Sequence, residues 1–513
     1  MAGIAPATTA AGGADSADAP VVIVEGGPVR GVTVGDAQIY RGLPYAAPPT
    51  GQLRWRPPQA PAAWTGVRDA SDFAPNCPQP ETPFTAGPQA EDCLYLNVTA
   101  PRTSPGHAGD RPVIVWIHGG GLTLSAGRDF DAAKLAAAGS VVVTVNYRLG
   151  ALGFLAHPAL ESSRGSAGNY GLMDQQAALR WVQRNIGRFG GDPSNVTIAG
   201  QSAGGLSVLA HVVSRSSTGL FQRAIVSSGT FALTQQSLAA AEAGGKELAS
   251  RAGCADQSAR CLRALPVKSL LDATQGFEIP GVVDGAVLKE SIGTSLAAGR
   301  FTQVPIMNGE NHDEQRGFMP NGAVVSGGRF VPLPQGGVTA DNYQSAIASV
   351  LDVPADRAAA IATEYPLGSY PSPDWAFSAL TTDSEFACTA LRTNEWTALR
   401  MPTFAYEFND DAAPPRYPPQ LDPPVATHGS ELPYIFDLPS ATYQDPLSPD
   451  QEPLADAMRE AWVNFAATGN PSTSDVRWPA YRPGGRGLSL VAPTPQTDTS
   501  FAARHHCSFW AAG

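Results

Sequence analysis

Val196-Thr197-Ile198-Ala199-Gly200-Gln201-Ser202-Ala203-Gly204-Gly205 reads as a buried strand, a tight turn and the start of a helix. Apolar residues run without interruption from Val196 to Ala199 (Thr197 apart), and Ala203–Val213 then keeps helical spacing. Between them lies G-x-S-x-G, whose glycines allow a strained strand-to-helix turn that exposes Ser202 at a helix N-terminus. There the helix dipole favours developing negative charge, so Ser202 is a candidate nucleophile and not merely a capping serine in a glycine-rich loop.

Upstream, Val113–Ile117 is a second apolar run, ending in His118-Gly119-Gly120-Gly121. Glycines let backbone N–H groups turn inward with no side chain in the way. Gly120 and Gly121, with the N–H of Ala203 after the serine, are candidate donors to an oxyanion. Further strands are expected at Val141–Val145, Ala224–Val226, Val304–Met307 and Thr403–Phe408, with helices over 132–138 and 170–186. Apolar strands alternating with helices mean a sheet covered on both faces, hence an α/β fold with a mostly parallel mixed sheet. Short β-branched runs at Val21–Val24, Gly31–Val34 and Gln38–Tyr40 predict an antiparallel start. Segments 236–300 and 340–400 are helical in pattern and read as insertions capping the sheet. The expected organisation is a tail over residues 1–19 and one domain over 20–513.

Bulk properties narrow the function classes. The chain has 513 residues and a net charge of −12, from 34 basic and 46 acidic side chains. Only Lys134, Lys246, Lys268 and Lys289 are lysines. A phosphate-binding or anionic-membrane surface needs clustered cations, so nucleic acid is not an expected partner. No run of 18 apolar residues occurs, which excludes a transmembrane helix of the usual kind. The first twenty residues are small and polar, without the charged and apolar regions of a signal peptide. They resemble what remains after one has been removed. Six cysteines (77, 93, 254, 261, 388 and 507) form an even set without CxxC, compatible with disulfides or with six buried thiols.

Taken together, the motifs resemble the type-B carboxylesterase/lipase family of α/β-hydrolases, of the para-nitrobenzyl-esterase-like bacterial kind. The likeness runs over almost the whole chain. Its carriers are Tyr40–Ala46 with Pro48-Pro49, Glu91–Val98 (EDCLYLNV), Asn146–Gly150, Gly168–Asp174, Gly190–Pro193 and the serine turn. The family order Ser, acid, His then implies Glu314 in His312-Asp313-Glu314 as the acid and His428 in Thr427-His428-Gly429-Ser430-Glu431 as the base. From the residues alone, Asp313 and Glu310 remain alternative acids. The chemistry so implied is acyl transfer from a carboxylic ester through a seryl intermediate.

The resemblance further implies the pairs Cys77–Cys93, Cys254–Cys261 and Cys388–Cys507, hence an exported protein. It implies supporting roles for Gln201, Ser228 and Glu431, each of which is otherwise an ordinary polar turn residue. Leu122, Phe231, Leu233 and Phe318 are candidate pocket walls. His312 and the His505-His506 pair lack a matching carboxylate cluster in the sequence, so neither a metal nor another cofactor is expected. Gln201 stands where cholinesterases carry an acid, and residues 78–92 hold no Trp, which disfavours choline esters. The expected partner is a small-molecule ester, and the expected state a monomer or small homo-oligomer. A lipase, an amidase, or an adhesion module that has lost catalysis are the alternatives. The last fits poorly with an intact Ser, Glu and His.

Overall fold

The computed structural model describes residues 17–512, apart from 83–84, 86, 103–109, 161–166, 275–280, 416–420, 422 and 440–444. A sheet of 13 strands dominates it. In chain order these are β1 (Ala17–Val24), β2 (Gly27–Val34), β3 (Ala37–Pro44), β4 (Arg68–Asp69), β5 (Tyr95–Pro101) and β6 (Arg111–Ile117). Then follow β7 (Val141–Val145), β8 (Gly191–Gln201), β9 (Arg223–Ser227), β10 (Ile306–Asn311), β11 (Thr403–Phe408), β12 (Gly487–Leu490) and β13 (Gln496–Asp498). Their spatial order is β1-β2-β3-β5-β7-β6-β8-β9-β10-β11-β12-β13, with β4 on β2. From β7 to β12 every pair is parallel, and the ends are antiparallel apart from the short parallel pairing of β4 with β2.

Because β1 begins at Ala17 and pairs it with Thr33, residues 17–19 belong to the sheet and not to the expected tail. Residues 1–16 lie outside the described residues. The expected β8 is also longer, starting at Gly191, since Asp192 and Pro193 continue extended backbone from the turn.

Side chains of the central strands divide between two cores, as period-two geometry requires. Val113, Val115 and Ile117 of β6 join the core on one face, with Val141, Val143, Val196 and Ile198. Ile114 and Trp116 join the other, with Val142, Ala199, Ile225, Met307 and Phe404. Such strands read as continuous apolar runs because neither face meets water. A third, smaller core lies among the capping helices of residues 343–382.

Two family motifs owe their residue types to buried ion pairs. Arg148 grips Asp174 through two hydrogen bonds of 2.7 Å, with both side chains essentially excluded from solvent. Arg54 holds Glu91 in the same two-pronged way at 2.7 and 2.6 Å. Planar guanidinium against carboxylate satisfies both groups where water cannot. The sulfurs of Cys77 and Cys93, Cys254 and Cys261, and Cys388 and Cys507 are bonded, with Cα separations of 4.9, 5.7 and 5.2 Å.

Candidate active site

Ser202 follows β8 directly and precedes the helix α1 (Ala203–Val213). Its backbone has φ +59° and ψ −128°, a region costly for any residue with a side chain. Neighbouring backbone fixes it there: the Ser202 N–H donates to Ser227 O at 2.8 Å, and Leu206 N–H donates to Ser202 O at 2.9 Å. Two glycines are obligatory for the close approach. A Cβ on Gly204 would fall 2.0 Å from Ile117 O, and one on Gly119 would fall 2.6 Å from Gln201 O.

That contact comes from strand register. Ile117 of β6 is opposite Gly200 of β8, so the loop after β6 emerges beside the loop after β8. Gly119, Gly120 and Gly121 line the same cavity as Ser202, and Gly120 and Gly121 have φ of +99° and +63°. Ala203 is buried at the first helical position, directly after Ser202, and is not among the lining residues. Tyr147 supports the loop, donating its hydroxyl to His118 O at 2.8 Å while its ring stacks on that imidazole.

Glu314 opens a short 3₁₀ turn just after β10 and is fully buried. One carboxylate oxygen accepts the Asn311 N–H at 2.8 Å, and the other is hydrogen-bonded to Nδ1 of His428. His428 lies on the loop beyond β11, and its Nε2 faces the Nε2 amide of Gln201 at 3.2 Å. The two contacts agree on one tautomer. A proton on Nδ1 points at Glu314, and the lone pair on Nε2 points toward Gln201 and the cavity that Ser202 and His428 both line. Phe318 and Phe386 flank the imidazole, with ring centroids 4.9 and 5.5 Å away.

Of the alternative acids, Asp313 is taken up by Nδ1 of His312 at 2.7 Å. Glu310 is buried away from the imidazole and lines a different cavity.

Behind Glu314 and His428 lies a polar layer whose hub is Asn311, a residue the sequence did not single out. Its side-chain amide donates to Glu431 at 2.8 Å and to the Ser228 hydroxyl at 3.3 Å. Burial, and then the nearby Glu314 charge, push Glu431 up to about 7. Ser228, at φ +50°, donates its N–H to Gly309 O at 2.7 Å. Gln201 thus meets His428, while Ser228 and Glu431 meet Asn311, whose N–H is bonded to Glu314. A hydrogen-bond hub of this kind leaves no pattern in a single sequence, since Asn is equally common in turns.

The cavity has a volume of about 590 Å³. Phe318 lines it, as expected. Leu122, Phe231 and Leu233 do not: Leu122 is packed into the core, Phe231 lies against Phe386, and Leu233 is held by its carbonyl to Gly293 N–H. Walls come instead from Leu124, Phe330 and the Pro-rich loop with Pro414, Pro424 and Val425. Apolar residues in isolation do not reveal which side of a loop faces a cavity.

The expectation that His505 lacks carboxylate neighbours is corrected by the fold. Its Nδ1 lies 2.5 Å from Asp383 and its Nε2 2.5 Å from Glu407. His312, Glu407 and His505 lie within reach of one metal ion. Both His505 nitrogens, however, are already committed to carboxylates. Burial opposes the imidazolium, but Glu407 and Asp383 outweigh it and raise His505 to about 10. The cluster is an ion-pair network.

The family model described as the carboxylesterase family matches residues 18–510. Fumonisin B1 esterase of Sphingopyxis macrogoltabida is 35% identical over 477 residues, 89% of this chain and 84% of its own. Para-nitrobenzyl esterase of Bacillus subtilis (strain 168) is 34% identical over 487 residues, 90% of this chain and 92% of its own. Among solved structures, a PNB esterase superposes with a TM-score of 0.77 at 32% identity, covering 95% of this chain and 99% of that one. The chain belongs to the carboxylesterase family and is a carboxylic ester hydrolase.

Proposed function

We propose that Ser202, His428 and Glu314 form the catalytic triad, acting on small to medium apolar esters. Ser202 Oγ attacks the ester carbonyl while His428 Nε2 takes its proton. Glu314 orients the imidazole and stabilises its cation. The N–H groups of Gly120, Gly121 and Ala203 receive the oxyanion, and the protonated His428 then returns its proton to the leaving alcohol. A water activated by the same nitrogen releases the acid and restores Ser202.

The observation that carries this reading is a single wall where a strained serine, a correctly tautomerised histidine and a glycine loop meet. The apolar lining from Phe318, Phe330, Leu124 and Val425 supports an aliphatic or aromatic ester as substrate. A lipase or amidase would use the same machinery, though an amide asks more of it because its leaving group is poor. Three disulfides support export to an oxidising compartment. On this reading the protein acts as a monomer or small homo-oligomer, on a small molecule and without nucleic acid.

A serine-directed phosphonate tests the triad. The expected result is a covalent adduct on Ser202 with loss of nitrophenyl-ester hydrolysis. Ser202→Ala should lower turnover at least about 10⁴-fold across an acyl-chain series. Full activity in that variant would place the chemistry at another site.

A further inference from the structure

A second cavity, of about 110 Å³, lies behind the sheet edge formed by β10, β11 and β12, away from Ser202. Four carboxylates line it: Glu310, Glu395, Glu407 and Asp498. No Lys, Arg or His is among the described residues that do. Two of the four are already neutralised from behind. Glu407 is bonded to His505 and Arg504, and Asp498 accepts from Arg504 at 2.7 Å. Glu310 and Glu395 have no cationic partner within salt-bridge distance among the described residues.

Glu310 is the anomaly. It stands opposite Glu407 in the β10–β11 register, is only 3% exposed, and its Oε2 has no hydrogen-bond partner. Two residues earlier on the same face of β10, Asn308 Oδ1 is also buried and unpartnered, while its amide donates to Asn394 Oδ1 at 2.9 Å. A buried acceptor without a donor is unfavourable, and more so when charged. Tyr406, Tyr481 and Phe501 supply aromatic wall to the same cavity.

We infer that this cavity is a binding site for a small organic cation, a primary alkylammonium whose N–H groups satisfy Glu310 and Glu395. An ammonium carries three donors and no acceptor, matching the unpartnered Glu310 Oε2 and a cavity lined by carboxylates. Its alkyl portion fits against the aromatic rings, which also favour the charge. A bare metal ion fits less well. Among the described residues, no three of these lining carboxylates bring oxygens within 4.8 Å of one another. Burial, and then Glu407, push Glu310 well up from its ordinary range, so the charge on its carboxyl is one that a bound cation would stabilise. The site does not depend on the role of Ser202.

Isothermal titration of the whole protein with n-propylammonium chloride at pH 7.5, against 1-propanol and matched sodium chloride, tests the inference. The expected result is saturable one-site binding of the ammonium and none of the alcohol. Glu310→Gln and Glu395→Gln should each weaken it about 10-fold or more, with folding checked by circular dichroism. Glu395 is half-buried on a helix, so its variant decides the matter if Glu310→Gln does not fold. No saturable binding, equal binding of propanol, or unchanged affinity in folded Glu395→Gln would overturn the proposal. Binding of calcium chloride in place of propylammonium would overturn it too.

Discussion

Gln201 sets an amide donor against Nε2 of His428, where a carboxylate would instead accept a proton from it. Gln201→Glu should therefore favour the imidazolium and move the acidic limb of the kcat/KM profile to higher pH. A displacement of about one pH unit is expected, and an unmoved limb would show that residue 201 does not govern the imidazole. Glu431 carries a second pH effect, of opposite origin. Its folded value of about 7 lies above the ordinary carboxylic range, chiefly through burial. The neutral acid is thus the form the fold prefers. Its full stability is present below about pH 4.5 and is lost as pH rises through about 7, on the order of 3 kcal/mol. Glu431→Gln keeps an acceptor for Asn311 and removes the charge. Urea unfolding should show the variant gaining on the parent between pH 4.5 and 7.5; a constant difference would assign the ionisation elsewhere.

Among the elements, the one with most leverage on the site is a single π-helical turn, Asp383–Ala387, inserted between helices Pro373–Thr382 and Cys388–Ala398. Phe386 on this turn lies against His428, Asp383 at its start is held by His505, and Cys388 just beyond is bonded to Cys507. The C-terminal segment therefore fixes the wall on which the base rests. His505→Asn would leave Asp383 and Glu407 buried without their shared cation, costing about 3–5 kcal/mol at pH 7. Because His505 titrates near 10 when folded, its contribution is complete below about pH 6.5 and disappears as pH passes 10. Thermal unfolding at pH 7 and pH 10 should show a large deficit in the variant at the lower pH only. The sequence announced neither the π turn nor the His505 network, whose members Asp383 and Glu407 lie 122 and 98 residues from His505. By contrast the serine turn and the glycine loop were legible, since strand, turn and helix are consecutive there. Val141–Val145, Ala203–Val213 and Thr403–Phe408 match their expected bounds for the same reason.

Over the whole molecule, low charge and long apolar runs follow from one wide sheet covered on both faces. The disulfides act at this scale. Cys388–Cys507 spans 119 residues and Cys254–Cys261 only 7. In the chain-entropy account the wide link restricts the unfolded chain more, by roughly 2 kcal/mol. Removing it by paired Cys→Ala changes should lower Tm more than removing the short one, as calorimetry of the two double variants would show. Equal losses would mean that local packing sets both. The three residues proposed as the triad are spread along the chain, on loops that follow β8, β10 and β11, and part of the cavity wall comes from stretches that hold none of them, among them Leu124, Phe330 and Pro414. That part of recognition is thus written apart from the reaction in the gene. Recombination among relatives can exchange one passage and leave the other intact, so a lineage built on this scaffold is free to change its diet without relearning how to digest.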